Sequence, residues 1–112
     1  MVHESGYSMV ITTCGDKESA KRLADVLVAS RLVACAQLLP IESIYIWNGE
    51  VCNENETMIL LKTKTLLFDK LEAVIRENHT YEVPEIIELP ITDGLPEYLR
   101  WISECVRKHQ IK

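Results

Sequence analysis

The feature that most constrains this chain is the dipeptide Asn48-Gly49, which stands at the end of a long β-forming run. Val33 to Trp47 is apolar or β-forming almost throughout, with an interruption expected at Pro40. Asn-Gly accepts the positive φ angles that a tight hairpin turn demands. The return arm, Glu50 to Thr63, alternates. Glu54, Glu56, Met58, Leu60 and Lys62 share one face, and Val51, Asn53, Asn55, Thr57, Ile59, Leu61 and Thr63 share the other. A two-stranded ribbon of this length makes a sheet the framework of the fold.

Around the ribbon the periodicity switches between two and 3.6. Tyr7 to Thr13 is short and rich in β-branched and apolar residues, and Cys14-Gly15-Asp16 breaks it, so a first strand is expected there. Asp16 is placed to cap a helix with Glu18 in its first turn and Ala20, Leu23, Ala24, Leu27 and Arg31/Leu32 at helical spacing. Thr65 is expected to cap a second helix, in which Leu67/Phe68, Leu71 and Val74/Ile75 recur until Asn78. Val83-Pro84 forces an extended entry to a last strand over 85–91, whose prolines mark it as an edge. Gly94 turns the chain, and a third helix opens at Leu95-Pro96 and buries Tyr98, Leu99, Ile102 and Cys105/Val106. Residues 108–112 read as a fraying tail.

The order is β-α-β-β-α-β with an extra C-terminal helix. It predicts one α+β domain over 1–112, a ferredoxin-like βαββαβ sandwich with helices on one face of an antiparallel sheet. Ile44, Tyr45, Ile46 and Trp47 make the ribbon apolar on both sides, more than two helices shield, so self-association is expected.

Composition narrows the function. The 112 residues carry 12 Lys+Arg against 17 Asp+Glu, a formal charge of −5. A folded monomer of this mass buries about two-thirds of its extended surface, enough for a core without staples. An acidic chain without a Lys/Arg stripe points away from nucleic acid and from anionic membrane surfaces. No apolar run approaches the roughly 20 residues that span a bilayer, and the first residues lack the pattern of a signal peptide. Cys14, Cys35, Cys52 and Cys105 form no C-x-x-C pair, which fits reduced thiols in the cytoplasm. Phosphate-binding glycine loops, G-x-S-x-G, H-E-x-x-H and zinc-finger spacings are absent, so no familiar enzyme mechanism is indicated.

Four stretches are more specific: Ser43-Ile44-Tyr45-Ile46-Trp47-Asn48-Gly49; Lys62-Thr63; His79-Thr80-Tyr81-Glu82-Val83-Pro84-Glu85-Ile86; and Tyr98-Leu99-Arg100-Trp101. Taken together, from Tyr7 to Val106, the chain resembles the CutA divalent-cation-tolerance family. The resemblance implies a ferredoxin-like subunit in a tight homotrimer of PII-like shape, with long hairpins of neighbouring subunits paired. It also implies a link to tolerance of divalent cations, copper especially. Bacterial members proposed to bind copper use a first-strand Cys and two adjacent His, where this chain has Thr12 and Asn78-His79.

His79 is accordingly the candidate metal ligand, for copper or another divalent cation; its alternative role is to close the helix end. Lys62, Tyr81 and Glu85 with Trp47 are the candidate ligand-binding set; joined by Glu82 and Trp101 across a subunit boundary they would make a polar pocket with aromatic walls that suits a small anionic or metal-bound ligand, Lys62 supplying the charge unless it pairs with a glutamate across the interface. Packing roles compete for Trp47 and, more strongly, Trp101. Cys14 reads as a turn residue, Cys35 as packing, and Glu54-Asn55-Glu56 as a solvated arm in preference to a hard-cation site. The leading functional expectation is a cytoplasmic trimer that binds a metal ion or small ligand at clefts between subunits. Two others stand beside it: an enzyme using Lys62, His79, Tyr81 and Glu85 for acid–base chemistry, and a scaffold trimer for a protein partner. Because Tyr45 to Trp47 need partner cover, the trimer is expected to be obligate and thermally robust.

Overall fold

A computed structural model describes residues 5–108; the tail expected beyond Lys108 lies outside them. Four strands and three helices follow in the order β1 (Tyr7–Cys14), α1 (Lys17–Ala29), β2 (Cys35–Trp47), β3 (Glu50–Lys64), α2 (Phe68–Asn78), β4 (Ile86–Ile91) and α3 (Pro96–Cys105). The strands form one sheet in the order β2-β3-β1-β4, every neighbouring pair antiparallel. β3 thus lies between β1 and β2, and β1 between β3 and β4.

The ribbon is as long as the sequence demands. Trp47 pairs with Glu50 across Asn48 and Gly49, whose φ angles are +52° and +78°, the left-handed pair that matches strand twist in a two-residue turn. Pro40 does not interrupt it and pairs with Thr57, because β2 is an edge strand and tolerates a residue without N–H. β1 stops pairing at Cys14 opposite Thr57, so the ribbon runs on past the sheet as an arm of only two strands. The arm stretches the molecule to 42 × 32 × 26 Å with a radius of gyration of 14.8 Å. A compact domain of this length has about 13 Å.

Side-chain alternation sorts the sheet into two faces. Val10, Ile59 and Leu61 meet Leu23 and Leu27 of α1 and Leu71 and Ile75 of α2 in the main core, all of them buried. On the opposite face α3 covers one end, where Ile102 and Val106 pack with Leu67, Tyr7, Ala34 and Leu99, and the Tyr7 hydroxyl bonds Ser103. The helices are therefore not all on one face. The rest of this second face is left half open, with Leu39, Ile87 and Leu89 at 39%, 48% and 40% exposure.

Three boundaries differ from the periodicity. α1 ends at Ala29, because Arg31 turns left-handed at φ +60° and carries Leu32 into the core from outside the helix. The Arg107 guanidinium then closes the helix end by donating to the Ser30 carbonyl at 2.9 and 3.1 Å. Thr65 does not cap α2; it opens a 3-10 turn over Thr65–Leu67, and its hydroxyl lies 2.7 Å from that of Ser8. On α3, Tyr98 is exposed rather than buried and stacks on Trp101 at 5.5 Å, since the core side of this helix is filled by Ile102. No described helix is long and apolar enough to cross a membrane.

Candidate functional site

The site grows from the loop between α2 and β4, where His79 leaves the helix in extended conformation. Its Nδ1 accepts the Tyr81 backbone N–H at 3.0 Å, and its Nε2 lies 2.7 Å from the Thr13 carbonyl oxygen. A carbonyl only accepts, so Nε2 carries the proton and the ring is the neutral Nε2–H tautomer. His79 thereby ties the loop to the end of β1 and presents Tyr81, whose ring centroid is 4.9 Å from its own. The Tyr81 hydroxyl reaches over Gly15 and donates to Glu56 Oε2 at 2.7 Å. The crossing is close: a Cβ on Gly15 would stand 3.3 Å from the Tyr81 oxygen, so a larger residue there would press the hydroxyl aside by a few tenths of an ångström.

Register supplies the facing wall. Ile41, Ser43 and Tyr45 pair with Glu56, Glu54 and Cys52, so these side chains share one face of the arm. The Tyr45 hydroxyl donates to Glu54 Oε1 at 2.6 Å. Between arm and loop lies a cleft of about 850 Å³, lined by Tyr45, Trp47, Tyr81, four glutamates (Glu54, Glu56, Glu82 and Glu85), and Thr13, Ser43, Ile44, Cys52, Thr80 and Val83. No Lys or Arg is among the lining residues.

The charge pattern shows in the titratable groups. The Glu54 bond, then desolvation, then the Glu54 charge push the Tyr45 phenol up to about 12. Burial, the Glu56 bond and the neighbouring carboxylates push Tyr81 up as well. Burial, with Asp16 and Glu56 nearby, pushes the Cys14 thiol up to about 11, so it stays protonated near neutral pH.

Trp47, Tyr81 and Glu85, expected together, do line one cleft. Lys62 does not join them: it sits within the sheet body and donates to the Gln37 side chain. Of the small anionic or metal-bound ligand expected there, the anionic alternative loses the charge that Lys62 was to supply. His79 lies behind Tyr81 with one nitrogen accepting and the other donating, so in this conformation neither offers a lone pair to a metal. Cys14 Sγ is 3.8 Å from Nε2, too poor an acid to pair with that ring as nucleophile and base. Among the described residues no three His, Cys, Asp or Glu side chains converge to hold a metal ion. Among the described residues, then, no resident metal centre is formed, and the acid–base set is not assembled, since Lys62 lies apart from His79, Tyr81 and Glu85. Tyr45, Glu54 and Glu56 were not among the expected site residues. Their signal was the alternation of the return arm, which places both glutamates on one face, but only the register sets Tyr45 beside them.

The chain is similar to known proteins along most of its length. The family described as CutA1 divalent ion tolerance protein matches residues 8–105. The divalent-cation tolerance protein CutA of Thermus thermophilus is 43% identical over 97 residues, covering 86% of this chain and 94% of that one. The chloroplastic protein CutA of Arabidopsis thaliana is 39% identical over 100 residues, covering 88% of this chain; the match spans only 55% of that longer protein. The crystal structure of CutA1 from Oryza sativa superposes with a TM-score of 0.90 at 37% identity, over 96% of this chain and 98% of that one.

Proposed function

The chain belongs to the CutA1 divalent ion tolerance family, and from that membership we propose that it works in divalent-cation tolerance as a cytoplasmic homotrimer of ferredoxin-like subunits. Copper or another divalent cation is met, as cargo, in the cleft beside the hairpin arm. The observation that carries this reading is the lining of the cleft, four carboxylates with no Lys or Arg among them. Carboxylate oxygens are ligands for divalent cations, best for hard ones and weaker for copper. His79 serves as the staple that presents Tyr81.

The trimer is supported by what the single chain leaves open. Ile44, Ile46 and Val51 on the arm are 68%, 72% and 74% exposed, and the second sheet face is only part covered by α3. An apolar surface of this kind calls for a partner. The cytoplasmic assignment is supported by four cysteines that are all free.

Calorimetric titration of Cu(II) and Zn(II) tests the site, comparing wild type with the double variant Glu54→Gln/Glu56→Gln and with His79→Ala. The expected result is binding that weakens most in the glutamine variant. Binding lost in His79→Ala but unchanged in the glutamine variant overturns the assignment. Sedimentation that finds a folded monomer at micromolar concentration overturns the obligate trimer.

A further inference from the structure

A second, smaller pocket of about 160 Å³ lies where β1 starts, lined among others by Ser5, Ser8, Thr65 and Glu88. Seven residue steps of β1, roughly 23 Å, separate Tyr7 from Cys14, where the arm begins. The lining residues lie neither on the hairpin arm nor among the exposed apolar side chains that call for a partner.

The direction of each hydrogen bond in this corner follows from counting protons. Ser8 is wholly buried and has one hydroxyl proton, which it donates to Glu88 Oε2 at 2.7 Å, because a carboxylate only accepts. The Thr65 hydroxyl, 2.7 Å from the Ser8 oxygen, must then be the donor of that pair. Ser5 donates its own proton to the Ile91 carbonyl and accepts the Tyr7 backbone N–H at 3.2 Å. The Thr65 backbone N–H is taken by the Gly6 carbonyl at 2.9 Å. All three hydroxyl protons are thus spent within the protein, and what these groups have left to offer a ligand is lone pairs. No Lys, Arg or His is among the lining residues. Such a corner repels an anion and attracts a cation.

We propose that this corner is a binding site for a hard divalent cation of the Ca(II), Mg(II) or Mn(II) class. Glu88 supplies the charge, the Thr65 and Ser5 hydroxyl oxygens add neutral ligands, and the pocket leaves room for part of the ion's water. Ser8 is a positioning residue: its bond fixes the Glu88 carboxylate in the way that ligating carboxylates are held by their neighbours. With a single carboxylate the dissociation constant belongs at the weak end of oxygen-ligand sites, on the order of 0.1–1 mM. The inference uses none of the donors of the cleft beside the arm and does not rest on the reading given to that cleft.

Mn(II) is the probe, since its unpaired electrons broaden the amide resonances of nearby residues. It is titrated into the metal-free protein in its native assembly. The expected result is saturable broadening at residues 5–8, 65 and 88–91, reversed by excess Ca(II) or Mg(II). The affinity should fall about tenfold or more in Glu88→Gln, and stay unchanged in Glu54→Gln/Glu56→Gln. If Glu88→Gln does not fold, the exposed Thr65→Val replaces it and should lower the affinity about threefold, a hydroxyl ligand being lost to a methyl. No broadening at these residues in millimolar Mn(II), broadening that excess Ca(II) and Mg(II) leave in place, or an affinity indifferent to the substitutions overturns the proposal. Broadening confined to the cleft residues refutes this inference alone, and broadening confined to the start of β1 refutes the cleft reading alone.

Discussion

Among the described residues the hydrogen bond from Tyr81 to Glu56 joins the two walls of the cleft directly, so its removal is the sharpest perturbation. A hydrogen bond to an ionised carboxylate contributes about 1.5–3 kcal/mol when water is kept away. At 2.7 Å the geometry is good, but both residues are half-buried and water competes for each. A coupling of about 1 kcal/mol is therefore expected. The assay is a double-mutant cycle of Tyr81→Phe, Glu56→Ala and their combination, by urea unfolding at fixed protein concentration. Phenylalanine keeps the ring packed against His79 and over Gly15, so the cycle isolates the hydroxyl. Glu56→Ala should also move the alkaline ultraviolet titration of Tyr81 down, because the bond and charge of Glu56 are among the causes that raise it. A coupling below about 0.3 kcal/mol, within the scatter of independent sites, refutes the reasoning.

Thr12 is fully buried and its hydroxyl has no partner, so Thr12→Val should stabilise the fold by about 1 kcal/mol and raise the thermal midpoint by about 4 °C. Gly49 sits at φ +78°, and Gly49→Ala should cost about 1 kcal/mol in the same measurement. Cys14 is raised from 9.0 to about 11 and Tyr45 from 10.0 to about 12, so the folded state holds protons the unfolded chain has lost. The stability tied to these groups is complete below pH 9 and is lost as pH rises through 11 and 12. Urea midpoints should be flat up to pH 9 and fall beyond it, and Cys14→Ala should delay the first part of the fall. The same buried, protonated thiol should react with an alkylating agent more slowly than the half-exposed Cys52, as mass spectrometry of partially labelled protein would read.

The amino-acid sequence by itself marked the four strands and three helices, though not the 3-10 turn over Thr65–Leu67, because their periodicities and the hairpin turn are local signals. Asn48-Gly49 sets the turn, alternation sets the faces of β3, and helical spacing sets which sides of α1 and α2 are buried. It also marked Trp47, Tyr81 and Glu85, through motifs that set them apart from generic residues. What it did not carry is long-range register and the path of one loop. Lys62 was grouped with Tyr81 and Glu85, yet β3 places it six residues from Glu56, beside Gln37 and away from the cleft. His79 was read either as a metal ligand or as closing the helix end and bonding a neighbour, and nothing local announces that the neighbour is the Thr13 carbonyl, 66 positions earlier, which accepts its Nε2–H. Only the tertiary structure brought Tyr45, Glu54 and Glu56 opposite Tyr81 and left Lys62 out of the cleft, so that carboxylates and no Lys or Arg line it. The sign of a site depends on which charges converge in space, and that is decided by pairings between distant segments rather than by the neighbours of any one residue.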